Sequence, residues 1–268
     1  MKRRTLFAMA LCISCVFLFL YNSISEEKEN THYTKVYGEA KIDIYKFKSN
    51  ETGPKVAFIL GVHPYEWEAH NAFYDAIKTY TSTPKFRGEI DVYWIHVPEK
   101  YAKNWSEGRN FGNMAANKYI VPMIQSEGYD AVFDIHSAWE EWPSIGRPKW
   151  FILYPPTKEG KSLSQNITKN VNWIKIMGNC SQSKEHVGYW VEMPLAKNKI
   201  PIVILEWGWC EPEKQWLKYK NIDLNATIPG EYEDKLNHAL IFLDNLDKIV
   251  SWKKTGTIPF IQEFSPLI

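Results

Sequence analysis

The chain has 268 residues, with 32 Lys and Arg set against 31 Asp and Glu, for a formal net charge of +1. That balance supplies no basic field, so no nucleic-acid partner is expected. Hydrophobic residues at 45% and charged residues at 24% are the proportions of a globular protein, and the length suits one α/β domain. Aromatic residues reach 15%, with 12 Trp, enough to fill a core or to line a cleft.

In chain order, Lys2, Arg3 and Arg4 precede an apolar run from Leu6 to Tyr21. A basic flank before a short apolar stretch reads as a secretory signal or a signal anchor. The run of about 16 residues falls slightly short of the ~20 that span a bilayer. The positive flank stays cytoplasmic, so the rest of the chain is expected outside the cytoplasm, either secreted or held at the membrane by this segment. Residues 1–25 are expected to form this signal or anchor, 26–35 are polar and charged and read as a tether, and 36–268 are expected to form the folded domain. Five glycosylation sequons, at Asn50, Asn104, Asn166, Asn179 and Asn225, fit an extracellular glycoprotein. Beyond the apolar segment the cysteines are Cys180 and Cys210, one pair that an oxidising compartment can bridge or leave free.

From about residue 36, apolar runs alternate with amphipathic stretches, the pattern of a mostly parallel sheet covered by helices. Strands are expected at Val36–Phe47 (an edge or entry hairpin), Lys55–Leu60, Ile90–Val97, Ala131–Ile135, Trp150–Tyr154 and Ile202–Leu205. Helices are expected at Glu66–Tyr80, Gly112–Gln125, Glu159–Met177 and Tyr232–Ile249, the last with Leu236, Leu240, Leu243 and Leu246 near helical spacing.

Three of the apolar strands end in polar residues. One runs from Val56 through Gly61 to His63, Pro64 and Glu66; another reaches Asp134, Ile135 and His136; the third reaches Leu205 and Glu206. In open α/β sheets ligands gather at the carboxyl ends of strands. His63 and Glu66 stand three apart at a strand-to-helix turn, and Pro64 keeps His63 out of helical geometry. With His136 they make two imidazoles and a carboxylate, a catalytic Zn²⁺ set for one ion that leaves a place for water. A bound zinc brings the pKa of water down to roughly 7. Glu206 is placed to take that proton and pass it to a leaving amine. Asp134, two residues before His136, is a candidate to accept the second imidazole N–H. Arg109 and Asn110, read as a loop ahead of a helix N-terminus, are candidates to bind substrate, with Arg109 polarising the scissile carbonyl or clamping a carboxylate. His70, His96, His186 and His238 receive no role. Tyr189, Trp190 and Glu192 are expected in a loop, where a tyrosine could face substrate.

The series Gly61-Val62-His63-Pro64-Tyr65-Glu66, Arg109-Asn110, Asp134-Ile135-His136-Ser137 and Leu205-Glu206 resembles the zinc carboxypeptidase superfamily, closest to its succinylglutamate desuccinylase/aspartoacylase branch. The resemblance spans residues 56 to 208. It implies a three-layer α/β/α fold with a central mixed, mostly parallel sheet of about eight strands, phosphorylase/hydrolase-like. It implies a zinc metallopeptidase or deacylase, with His63, Glu66 and His136 as metal ligands, Glu206 as general base and Arg109 near the substrate carbonyl. The substrate class is then a peptide or an N-acyl amino acid. The chain departs from the family in Pro64, where Gly is frequent, and in the order Arg109-Asn110, usually reversed.

Two other readings compete. Glu66 and Glu206 beside Trp67, Trp139, Trp142, Trp207 and Trp209 would suit a glycoside hydrolase on a (β/α)₈ barrel, although the histidines then lack a purpose. A non-catalytic surface-binding module on the same fold is the other.

Overall fold

The computed structural model describes residues 29–139, 146, 148–210 and 231–251. The apolar N-terminal segment, Asn225 and the side chains of Trp139, Trp209 and Cys210 lie outside the described residues. Among those described, no helix is long and apolar enough to cross a membrane.

Eight strands form one sheet: β1 (Glu29–Tyr37), β2 (Ala40–Lys48), β3 (Lys55–Leu60), β4 (Glu89–His96), β5 (Ala131–Trp139), β6 (Trp150–Tyr154), β7 (Lys175–Asn179) and β8 (Ile202–Cys210), in the order β1-β2-β4-β3-β5-β8-β6-β7. The central strands β4, β3, β5 and β8 run parallel, with antiparallel β2 and β6 on either side of them. The sheet is open, so the barrel that the glycosidase reading requires is not formed.

The helices are α1 (Trp67–Thr81), α2 (Glu99–Ala102), α3 (Trp105–Ala115), α4 (Val121–Glu127), α5 (Lys158–Asn170), α6 (Val187–Trp190), α7 (Glu192–Lys197), α8 (Glu231–Asp244) and α9 (Leu246–Val250). They lie on both faces of the sheet, the expected three layers. Strand alternation sorts the side chains between two cores. Phe58, Phe133, Ile135 and Trp207 join Phe73 of α1 and Phe242 of α8 on one face. Ala57, Ile59, Val132, Ile202 and Ile204 pack towards α4 and α7 on the other. The interior strands are buried on both faces and therefore read in sequence as unbroken apolar runs.

Three expectations need correction. The tether at 26–35 is largely the edge strand β1, paired with β2 from Glu29↔Lys48 to Tyr37↔Ala40 about a turn at Gly38, whose φ is +60°. Its polar composition belongs to an edge strand with little apolar surface to cover. The expected helix to Met177 ends at Asn170, and the chain returns as β7, whose residues are largely exposed. An edge strand without an apolar face carries no period-2 signal. Helix α3 begins at Trp105, ahead of the expected Gly112, because the Asn104 side chain caps it, accepting from the N–H groups of Ser106 (3.0 Å) and Glu107 (3.1 Å).

The sequons fare unevenly. Asn50 and Asn104 are exposed. The Asn166 amide donates to the carbonyls of Lys248 (2.7 Å) and Ile249 (2.5 Å), tying α5 to α9, and is thus engaged within the fold. Cys180 is buried, with no disulfide among the described residues.

Phe242 carries the docking of α8. Its ring meets those of Phe73 (5.9 Å), Phe133 (5.3 Å) and Trp207 (5.6 Å), and it is fully buried. Phe242→Ala is expected to lower the unfolding free energy by about 3–5 kcal/mol, measured by denaturant titration, with the sheet's secondary structure retained.

Candidate metal centre

His63 ends the first core segment. Gly61, at φ +79°, turns the chain out of β3 with its Cα against Ile95 and Trp94, where a Cβ would lie 2.1 Å from the Ile95 carbonyl oxygen. His63 itself is extended (φ −112°, ψ 111°), as the following proline requires, and Pro64 opens the one-turn 3₁₀ helix Pro64–Glu66. That turn brings Glu66 round to His63: His63 Nδ1 lies 2.9 Å from Glu66 Oε1. His136 arrives from β5, with Nδ1 2.9 Å from Glu66 Oε2 and 3.0 Å from His63 Nδ1. All three residues are buried, with ligand atoms within 4.8 Å of one another.

The second nitrogen of each imidazole faces an oxygen. His63 Nε2 stands 3.3 Å from Asn113 Oδ1 and His136 Nε2 stands 3.1 Å from Asp134 Oδ2. An N–H on Nε2 of both rings would leave both Nδ1 lone pairs pointing inwards. Two lone pairs and a carboxylate meeting at about hydrogen-bond distance, away from water, repel unless a cation lies between them. The donor set therefore fits a divalent metal ion of the tetrahedral, N/O-preferring kind.

Electrostatics divide the two imidazoles: against the cost of burial, Asp134 and Glu66 hold His136 well above the usual imidazole value. Burial drives His63 down to about 3, with Arg109 adding to the effect. Against the cost of burial, His63 and His136 hold Glu66 well below the usual carboxylate range. Burial pushes the Glu206 carboxyl up to about 7; Glu66 acts in the same direction, and His136 and Arg109 oppose it. Glu206 lies directly across the β5–β8 ladder from His136, and both line the same cavity of about 590 Å³.

Arg109 lines this cavity too, its Nη1 3.7 Å from Glu66 Oε1 and its guanidinium 5.3 Å from the centre of the Trp105 ring. It reaches inwards from the middle of α3, and the loop expected for it is helix. Asn110, one residue on, is exposed and lines a different cavity, beside Tyr101, Phe111 and Tyr119. A helix turns 100° per residue, so Arg109 and Asn110 diverge, whereas Asn113, four after Arg109, shares its face. Asn113, fully buried against His63 Nε2, is the neighbour of the site that the sequence reading missed.

His186, Met177, Asn179 and Ser181 also line the cavity. Asn179 is a sequon residue, and a glycan there would stand at the site's wall. Tyr189 lines a separate shallow pocket with Trp190, and Glu192 is fully buried in α7, so the loop expected for these residues is absent. His70 is a core residue, its Nε2 3.0 Å from the Ile135 carbonyl oxygen. Of the flanking tryptophans, Trp207 belongs to the core, packed on Trp173 and Phe73.

No family model matches the sequence, and no curated protein matches it. Solved structures do. A metallo-carboxypeptidase from Burkholderia cenocepacia aligns with a TM-score of 0.53 at 13% identity over 91% of this chain and 69% of that one. A Burkholderia mallei structure aligns with a TM-score of 0.53 at 11% identity, over 84% and 65% respectively. Succinylglutamate desuccinylase from Vibrio parahaemolyticus reaches a TM-score of 0.49 at 11% identity, over 82% and 77%. The chain thus spans about two thirds of the length of the two Burkholderia structures. The fold is that of the metallo-carboxypeptidases, in the α/β form the sequence resemblance implied.

The contrast between Asn110 and Asn113 is open to measurement. Asn113→Leu removes the acceptor for His63 Nε2–H and is expected to weaken metal binding about 10–100-fold in chelator competition. Asn110→Ala is expected to leave it unchanged.

Proposed function

We propose that this chain is a zinc-dependent hydrolase of amide bonds, with a peptide or an N-acyl amino acid as substrate. The observation that carries the reading is the convergence of His63 Nδ1, His136 Nδ1 and the Glu66 carboxylate, each 2.9–3.0 Å from the next, at the floor of a cavity shared with Glu206 and Arg109. His63, Glu66 and His136 would hold the ion, beside the cavity that Glu206 and Arg109 line. When bound, the ion supplies a Lewis acid that lowers the pKa of water and polarises a carbonyl.

The residues of the chain do the rest. Glu206, the general base, takes the proton from the attacking water and carries it to the leaving nitrogen. Its raised proton affinity suits both halves of that transfer. Arg109 directs its guanidinium at the oxygen on which negative charge develops, and holds it against Trp105 and Glu66. Glu66 serves the ion, flanked by both imidazoles and by the Ser137 N–H (3.0 Å), which removes it from the pair of free carboxylates that glycoside hydrolysis needs.

The N-terminal basic flank and apolar run support placing this activity outside the cytoplasm, with the chain secreted or anchored at the membrane.

Removal of metal by a chelator is expected to abolish amide hydrolysis and added Zn²⁺ to restore it, assayed over C-terminal peptides and N-acyl amino acids. Glu206→Gln is expected to keep about one zinc per chain by metal analysis while losing about 10²–10⁴-fold in kcat. Normal turnover by that variant would overturn the mechanism. His63→Ala is expected to lose the metal itself.

A further inference from the structure

A lysine lies buried on the aromatic side of the sheet, and the chemistry above makes no use of it. Lys235 of α8 is 1% exposed, and its Nζ donates to Oε1 of Glu68, itself fully buried, at 3.2 Å. Two such charges lose about as much on leaving water as they recover from one another, so an apolar pair of equal volume would join the helices as firmly. What the pair adds is direction, because the ammonium must stand where its acceptor is. Both ends of the contact adjoin the metal centre. Glu68 lies in the first turn of α1, two residues after Glu66. At the other end Lys235 crosses β8 just beyond Glu206. The β5–β8 ladder pairs His136 with Glu206 and next Ala138 with Trp209, so β8 carries an extra residue there, a bulge at Trp207 and Gly208. Gly208 adopts φ +81°, and a Cβ on it would lie 2.9 Å from Lys235 Cε and 3.3 Å from its Cγ, so the aliphatic stem rests on the bare glycine. The Trp207 indole N–H donates to the Lys235 carbonyl oxygen at 3.0 Å. Lys235 therefore holds the bulge with its backbone and stem, and α1 with its ammonium.

Resting on the roles proposed for Glu66 and Glu206, we infer that Lys235 is a positioning residue: it ties the turn that carries Glu66 to the bulge that follows Glu206, and so sets the spacing between the metal centre and the general base. The two carboxylates come from elements that are not neighbours in the sheet, since β5 lies between β3 and β8. Lys235 spans that gap from the face opposite the cavity. The Tyr232 hydroxyl, one turn earlier on α8, donates to Asp75 and fastens the same helix to α1. Release of the ammonium would leave the bulge free to shift along β8 relative to α1, and Glu206 would move with it. A displacement of about 1 Å at a reacting group costs up to about 100-fold in rate.

The test compares wild type, Lys235→Met and the double variant Lys235→Met/Glu68→Gln. Four properties are measured: thermal unfolding, zinc content, kcat and KM for amide hydrolysis, and amide hydrogen exchange of segments 64–68 and 202–208 in the metal-free protein. Lys235→Met leaves the Glu68 carboxylate buried without its cation and is expected to unfold at a lower temperature. Removing both charges is expected to bring the unfolding temperature back near that of wild type. Activity is expected not to return with it: both variants keep about one zinc per chain and lose about 10–100-fold in kcat, with KM within about twofold. Both segments are expected to exchange faster than in wild type. Recovery of kcat together with stability in the double variant would make the pair merely structural and overturn the proposal, and so would unchanged exchange in the two segments. Should Lys235→Met fail to fold, the double variant decides by the same measurements. A wild type that binds zinc yet hydrolyses no amide would defeat the functional reading separately, and the exchange comparison then decides the positioning by itself.

Discussion

The mutual repulsion of three buried lone-pair groups governs the centre of this molecule. His63 Nδ1, His136 Nδ1 and Glu66 are packed to about 3 Å, although each one alone is costly to remove from water. A fold accepts that arrangement when a cation repays it, and the surroundings are built for one. Asn113 meets the outer nitrogen of His63, Asp134 lies 3.1 Å from that of His136, the Ser137 N–H braces Glu66, and Arg109 limits the negative charge from the cavity side. The contact with Asn113 favours an N–H on Nε2 of His63 and turns its Nδ1 inwards.

Helix α3 reaches this centre because two glycines let it. A Cβ on Gly112 would lie 1.7 Å from the Val62 carbonyl oxygen, and one on Gly108 2.9 Å from Pro64. Separated by one helical turn, the pair forms a bare stripe on which the Val62–Pro64 loop rests. With any larger side chain there, α3 would stand off by several tenths of an ångström or more, and Arg109 and Asn113, flanking the stripe, would withdraw from Glu66 and His63 together. Tyr65 closes the same seam, stacked on Trp105 at 4.5 Å and donating to the Ala102 carbonyl at 2.6 Å.

Much of this was legible in the sequence, for a definite reason. The ligand positions sit one or two residues past strands whose interiors are apolar on both faces, so β3, β5 and β8 announced both themselves and their ends. The pairing His63–Glu66 followed from Pro64, which dictates an extended residue and then a turn. What stayed hidden depended on facing. Arg109-Asn110 reads as a pair in a line of text, yet adjacent helical residues point apart, and the partner of Arg109 lies four residues on, at Asn113. The start of α3 was written in Asn104 and Glu107, a cap residue and an acid at the third helical position, but Gly108 and Gly112 weaken any helical expectation between them. β1 and β7 escaped because edge strands have little apolar surface to betray them. The burial of Glu192 could not be read at all, since nothing local distinguishes a carboxyl bound for the interior from one bound for solvent.

The two faces of the sheet divide the work. Alternation along β5 and β8 puts Asp134, His136, Ile204 and Glu206 on the face covered by α3, α4 and α7, while Phe133, Ile135, Leu205 and Trp207 point into the aromatic core under α1, α5 and α8. Register locks the two sets together: a shift of one residue in β8 would exchange Glu206 for an apolar neighbour on the reactive face and drive a carboxylate into the aromatic core. The size of that penalty, several kcal/mol for an unpaired buried charge, makes the core's preference for one register also the guarantee that Glu206 stands beside His136. Aromatic packing on the far side thus fixes the position of the general base without touching it, and the chemistry inherits its geometry from the hydrophobic sorting of the strands.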